Sequence, residues 1–262
     1  MSRPPRSARP EAAETARPFI DAQGHKLEIR MPEEELWLDV DAVRIAQSLG
    51  NLLHNAAKFT PGGGTLHVDA KRDGIFAMWY GKGPGVDRCG DVFKHANMAG
   101  TSRHGGVLVL AGDDHGAKSS TLPHQSDHVF KACGLPVLYP ASVQEYLELG
   151  LHGWAMSRWS GLWVAMKTVT EVVEASASVD LDPLRTSIAI PRDFELPADG
   201  LNIRWPDTPL AQEARLFDYK WYAALAYVRA NRLNRTVLDA TAAWFGIVSA
   251  GKAYLDTRQA LE

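Results

Sequence analysis

Apolar residues fall in two different rhythms along this chain, and the change comes near residue 74. Before it the runs are short and interrupted. HKLEIRMP (25–32) and ELWLDV (35–40) read as strands. Asp41 is placed to cap a following helix, in which Val43, Ala46, Leu49, Leu53 and Ala56 fall at helical spacing along one face. TPGGG (60–64) stops that helix, and TLHVDAK alternates as a strand does. After the change come four continuous apolar runs: IFAMWY (75–80), GVLVLAG (106–112), LPVLYP (135–140) and GLWVAMKTV (161–169). Runs without alternation suit strands buried on both faces of a parallel sheet. Segments 86–98, 124–134 and 142–159 can be helices between them, so a doubly wound α/β layer is expected. IFAMWY is wholly apolar. It is expected inside this sheet beside GVLVLAG, and not as an extension of the antiparallel sheet begun by HKLEIRMP and ELWLDV.

The ends read differently. Residues 1–17 are rich in Pro, Arg, Ala and Glu without apolar periodicity, the composition of a disordered tail. Residues 193–210 carry several prolines and read as a linker. A helix is expected over about 211–231, and FGIVSAGKAYLDTRQALE then reads as strand, tight turn and helix, the opening of a further domain.

Composition narrows the classes. The chain has 262 residues, 45% hydrophobic and 23% charged, enough apolar material for one large or two ordinary domains. A formal net charge of −3 gives no electrostatic footprint for nucleic acid or anionic lipid, so neither is expected as a partner. There are only two cysteines, Cys89 and Cys133, and no CxxC pair, which excludes an iron–sulfur cluster held by this chain alone. No apolar run approaches the roughly 18 residues a membrane span needs, and no signal-peptide core is present. A cytoplasmic protein is expected.

Two constellations carry candidate chemistry. In NLLHNAAKFTPGGG, Asn51, Asn55 and Lys58 sit at i, i+4 and i+7, so a helix presents two amides and an ammonium on one face. Such a set suits a magnesium ion and nucleotide phosphates. The plainer reading is a polar solvent face. In the second stretch, VLVLAGDDHGAKSSTLPHQSDH, Asp113, Asp114, His115, Lys118, Ser119, Ser120 and His124 lie just beyond the carboxyl end of a strand. That is the crevice where open α/β sheets gather ligands. GKGPG (81–85) lies between a strand and a helix, as a phosphate cradle does, but its spacing fits neither common nucleotide motif, and a tight turn is the plainer reading. His124 and His128 would be i, i+4 on a helix. HQSDH lacks the glutamate of a zinc-protease helix, so no metal site is expected.

DAVRIAQSLGNLLHNAAKFTPGGG resembles the N-box of histidine-kinase ATPase domains, over residues 20–73. The resemblance implies Asn55 as a Mg²⁺ ligand, with Asn51 and Lys58 near the phosphates. The adenine-binding loop that should follow is replaced by IFAMWYGKGPG, so this is a vestigial ATP site, expected to bind ATP·Mg²⁺ in the millimolar range or more weakly. From Gly74 onward the chain resembles indolepyruvate ferredoxin oxidoreductase of the long, fused bacterial type. The residues that carry this are MWYGKGPGVDRCGDVFKHANMAGTSRHGGVLVLAGDDHGAKSSTLPHQSDH, SASVDLD, DGLNIRWPD and FGIVSAGKAYLDTRQALE. That family implies thiamine diphosphate, Mg²⁺ and iron–sulfur clusters, oxidative decarboxylation of aryl 2-oxoacids to acyl-CoA, and ferredoxin as electron acceptor.

The combined expectation is an α/β chain. It comprises a disordered tail (1–17), a small α+β partial histidine-kinase ATPase-like segment (18–73), and an incomplete thiamine-diphosphate-binding-type parallel sheet with helices on both faces, the pyrimidine-binding part (74–192). A linker (193–210) and the start of a transketolase-C-terminal-like domain (211–262) follow. The cofactor-activating glutamate has no counterpart, since Glu33, Glu34 and Glu35 match nothing in that family, and the diphosphate-binding and cysteine-rich portions are absent. No catalytic residue is therefore assigned, and the chain is expected to be an oxidoreductase fragment, inactive alone and without cofactor. Two alternatives stand beside it: a histidine-kinase-like ATP-binding module, and a chimeric truncated reading frame without selected function.

Overall fold

The computed structural model describes residues 9–30, 49–50, 53–54, 56–58, 62–69, 76–119, 121–182, 184–204 and 207–262. Contacts between Cα atoms divide the chain into two units, Met1–Arg72 and Asp73–Glu262.

In the first unit a helix, α1 (Arg9–Ala22), stands where the composition points to a disordered tail. Ala13, Ala16 and Ile20 form a buried stripe at helical spacing, and Ala16 and Ile20 pack with Leu53, Ala57 and Leu66. That small apolar cluster offsets the ordering entropy that Pro10, Pro18 and the arginines conceal in a compositional reading. Strands β1 (Lys26–Arg30) and β2 (Thr65–Asp69) pair in parallel, and the antiparallel partner expected for β1 lies outside the described residues. ELWLDV and residues 41–48 lie outside the described residues. Of the helix expected next, Leu53 and Ala57 face the core and Ala56 faces out. Buried His25 ties the cluster together: Gly64 N–H donates to its Nδ1 at 3.1 Å, so its Nε2–H donates to the Ala57 carbonyl at 2.9 Å.

The second unit is built on a four-stranded parallel sheet of β3 (Phe76–Lys82), β4 (Gly106–Asp113), β5 (Val137–Leu138) and β6 (Val164–Val169), in the order β3-β4-β6-β5. Alternate residues serve opposite faces. Leu108, Val164 and Met166 pack with Met156 and Tyr227 in one core; Val109, Ala111 and Ala165 pack with Val86, Phe93 and Phe130 in the other. Helices α2 (Gly83–Arg88), α3 (Gly90–Ala99) and α4 (Asp127–Cys133) cover the second face. α5 (Val143–Ser160) covers the first. Ser142 caps α5 by accepting from Glu145 N–H at 3.3 Å, and Gly161 ends it at φ 71°. At Gly161 a side chain would strike the Leu201 carbonyl, so only glycine lets the chain leave there. After the short α6 (Thr170–Val173), the described residues of 174–208 run as coil to α7 (Pro209–Arg215), a π-helical turn (Leu216–Lys220) and α8 (Trp221–Ala230). α8 places Ala224 and Tyr227 in the first core, within this same unit. No described helix is long and apolar enough to cross a membrane.

Three expectations need correction. IFAMWY does join the downstream sheet, but at its edge, with Phe76, Met78 and Tyr80 at least half exposed. Trp79 is half-buried, edge-on against Phe93 at 5.0 Å, whereas α5 lies over β4 and β6 and touches β3 near its amino end, through Trp154 and Arg158, leaving the other face of the strand largely open. LPVLYP shortens to two strand residues between Pro136 and Pro140, which lack the N–H a ladder needs. FGIVSAG is no strand: 245–250 is exposed coil, and only α9 (Lys252–Leu261) forms as expected. Among the described residues no strand lies beside this apolar run to receive its ladder bonds.

Candidate functional site

The carboxyl ends of β3, β4 and β6 meet at a cluster of charged side chains. β4 delivers Asp113 as its last residue, fully buried as a side chain. β6 delivers Lys167, and β3 delivers Lys82. The DDHGAKSS loop folds back through an isolated bridge in which Asp114 and His124 exchange backbone hydrogen bonds at 3.0 and 3.2 Å. His124 therefore lies before α4, which starts at Asp127, and does not share a helix with His128.

The carboxylates are already engaged. Asp113 accepts from Ser126 N–H at 2.8 Å and Ser126 Oγ at 2.6 Å. Asp114 accepts from the N–H groups of Lys118 and Ser119, both at 2.8 Å, and Lys82 Nζ stands 3.8 Å away. The Ser119 amide above all holds the Asp114 carboxyl below the usual carboxylate range, against its burial. Lys82 Nζ donates to the Ser119 carbonyl at 2.6 Å and to Ser119 Oγ at 2.8 Å, so the GKGPG turn and the DDHGAKSS loop are fastened to each other. Lys118 pairs with Glu171 at 3.4 Å.

Asp113, His115 and Asp127 bring ligand atoms within 4.8 Å of one another, the spacing a cation would need. Lys167 already supplies the charge: its Nζ lies 2.5 Å from Asp127 and 3.6 Å from Asp113, and 4.8 Å from the centre of the Tyr139 ring. Burial, then the charges of Asp127 and Asp113, push the Tyr139 hydroxyl above its ordinary pKa. His124 lies between two carboxylates, 3.0 Å from Asp87 through Nε2 and 3.7 Å from Asp113 through Nδ1. It rests directly on Gly83, where a Cβ would fall 1.9 Å from the ring. That contact, more than a phosphate cradle, explains a glycine here.

The structure thus brings together Asp113, Asp114, His115, Lys118, Ser119 and His124. Ser120, Asn51 and Asn55 lie outside the described residues, and Lys58 is an exposed helical residue of the first unit. The sequence reading missed Lys82, Asp87, Ser126, Asp127 and Lys167. Two carried a signal, Lys82 in the GKGPG turn and Lys167 as a lone charge in a buried apolar run.

This chain is similar to the indolepyruvate oxidoreductase subunit IorA of Methanothermobacter thermautotrophicus, 26% identical over 199 residues, which are 74% of this chain and 30% of that protein. The corresponding subunit of Methanothermobacter marburgensis is 23% identical over the same length. A shorter likeness, 32% over 97 residues, is to the sensor protein KdpD of Clostridium acetobutylicum, covering 34% of this chain and 11% of that one. The chain spans less than a third of the length of these relatives. No protein-family model and no solved structure matches it significantly.

Proposed function

We propose that Asp73–Glu262 is a partial oxidoreductase chain of the indolepyruvate type that does not turn over an oxoacid alone, and that Met1–Arg72 is a remnant of a sensor-kinase ATPase domain. The observation that carries the reading is the likeness to IorA over 199 residues, most of this chain but only 30% of that protein. The parallel α/β sheet supports it, because its strand ends gather charged residues where such a protein would place a ligand.

The cofactors this reading brings with it do not fit the residues present. A diphosphate-bound Mg²⁺ needs carboxylate oxygens to spare, and those of Asp113 and Asp114 are taken by backbone and serine donors while Lys167 stands in the cation position. A cluster needs several thiolates, whereas burial pushes both Cys89 and Cys133 toward the thiol form, and Cys133 donates to the Gly90 carbonyl. Cofactor chemistry on this reading belongs to partner chains, the remaining oxidoreductase domains with ferredoxin as acceptor. The cluster at the sheet end is a structural lock that closes the crevice.

The test is turnover by the full chain, supplied with indolepyruvate, thiamine diphosphate, Mg²⁺, CoA and oxidised ferredoxin. No decarboxylation above the enzyme-free blank is expected. Cofactor-dependent turnover that disappears in Asp114→Ala would overturn the reading.

A further inference from the structure

β3 is the outermost strand of its sheet, and among the described residues nothing pairs with its free side. From Phe76 to Gly81 it has neither charge nor proline, the features that normally keep foreign strands off an exposed edge. The open face does not stop at the strand. Phe76, Met78 and Tyr80 continue into Leu147 and Leu151 of α5 and Leu181 of the coil beyond, all six between 43% and 75% exposed. Four of them, Met78, Leu147, Leu151 and Leu181, line one cavity of about 360 Å³ between the sheet, α5 and residues 180–186.

We propose that this face binds a second copy of the chain, with the two β3 strands antiparallel about a two-fold axis normal to the sheet, so that two four-stranded sheets join into one. The proposal does not depend on the functional reading above.

Area favours it. A fully exposed large apolar side chain presents roughly 150–200 Å², so the six residues offer about 600 Å² per copy. Edge-to-edge joining sets the two apolar faces side by side and covers part of this surface, chiefly at Phe76, Met78 and Tyr80, together with the free backbone groups of both β3 strands.

Charge selects the arrangement. α5 runs against the strand direction. Near the amino end of β3, Trp154 Nε1 donates to the Ala77 carbonyl at 3.2 Å and the Arg158 guanidinium lies 4.6 Å over the Phe76 ring. Toward the first turns of α5 lie three carboxylates, Glu148, Asp180 and Asp182, against the single guanidinium of Arg185. Asp180 is held there by its N–H to Gln144 Oε1 at 2.8 Å. An antiparallel pair lays the Arg158 end of each copy beside the acidic end of the other, twice over. The same symmetry closes the β3 edge of both copies at once, and the edge left on each copy is the two-residue β5 between Pro136 and Pro140, a poor template for further growth.

Sedimentation velocity on the full chain, up to about 100 µM protein, tests the proposal. The wild type is expected to dimerise, more weakly as salt rises. Met78→Lys sets two lysines near each other across the axis and is expected to weaken association at least about tenfold, with circular dichroism and melting unchanged. Should that variant fail to fold, Tyr80→Lys, at a more exposed position, carries the same test. Arg158→Glu is expected to weaken the dimer, and Arg158→Glu with Asp182→Lys to restore it. A wild type monomeric throughout would overturn the proposal, as would a dimer indifferent to both edge lysines. A dimer that the charge swap does not restore overturns the antiparallel arrangement, and a different protein bound stoichiometrically at this edge overturns the second copy as occupant.

Discussion

Among the described residues two lysines are buried, Lys167 and Lys220, and the regions around them accommodate a buried ammonium in different ways. Lys167 sits at the carboxyl end of the sheet between Asp127 and Asp113, two full negative charges. Lys220 sits in the π-helical turn and is almost fully buried at 1% exposure, yet the partners it donates to are the carbonyls of Asn97 and Met98, at 3.4 and 3.0 Å. These carbonyls end α3, so the ammonium meets the partial negative charge of a helix terminus. Arg215 nearby adds repulsion, and burial with that repulsion brings the Lys220 pKa down to about 8. The comparison teaches that depth alone does not set the cost of a buried charge. A carboxylate partner offsets desolvation that dipoles offset only in part.

The largest test breaks the better-paired side. Asp113→Ala would leave Lys167 with one half-exposed partner and strip Ser126 of its acceptor. Removing one member of a buried pair typically costs about 3–5 kcal/mol. Urea denaturation followed by far-ultraviolet circular dichroism should show a loss of that size. A loss under about 1 kcal/mol would mean that Asp127 alone holds the ammonium.

The next test reads the poorly paired side through pH. The folded pKa of Lys220, about 8, lies below its ordinary 10.5. Below pH 8 both states carry the proton and the full penalty applies. Between the two values the folded chain releases the proton while the unfolded chain keeps it, so stability rises with pH. Cys89, Cys133 and Tyr227, all raised by burial, pull the other way above about pH 9, their thiols and hydroxyl staying protonated in the folded chain. The difference between wild type and Lys220→Met isolates the lysine. Wild type should gain about 1–1.5 kcal/mol on the variant between pH 7 and 9. A flat difference would show that the two carbonyls satisfy the ammonium fully.

What was legible beforehand follows from the range of each interaction. The strands β4 and β6 announced themselves, because burial on both faces writes an unbroken apolar run into neighbouring residues. Both ends of α5 could be read from Ser142, Glu145 and Gly161, whose contacts are local. The edge position of β3 could not, since IFAMWY is as apolar as an interior strand, and its exposure is decided by where α5 settles, some seventy residues later in the chain. The candidate site divides in the same way. Asp113, Asp114 and His124 follow a strand end and were legible there. Asp87 and Lys167 reach the same place from other strands and helices, and no local pattern marks the meeting. The helix α1 hid its short apolar stripe among prolines and arginines.

The smallest test separates the two carboxylates that share Lys167. Asp127 lies closer than Asp113, 2.5 Å against 3.6 Å, which by distance alone would make it the stronger partner. However, its side chain is 43% exposed and that of Asp113 is fully buried. Water screens the first pair and not the second, and pairs open to solvent contribute about 1 kcal/mol or less. In Asp127→Asn an amide oxygen can still accept from the ammonium, while the Asp113 charge stays in place to balance it. The expected loss is therefore under about 1 kcal/mol, several-fold below that of Asp113→Ala, and it should shrink further in added salt. A larger loss from Asp127→Asn than from Asp113→Ala would show that contact distance, and not exclusion of water, ranks the partners of this lysine.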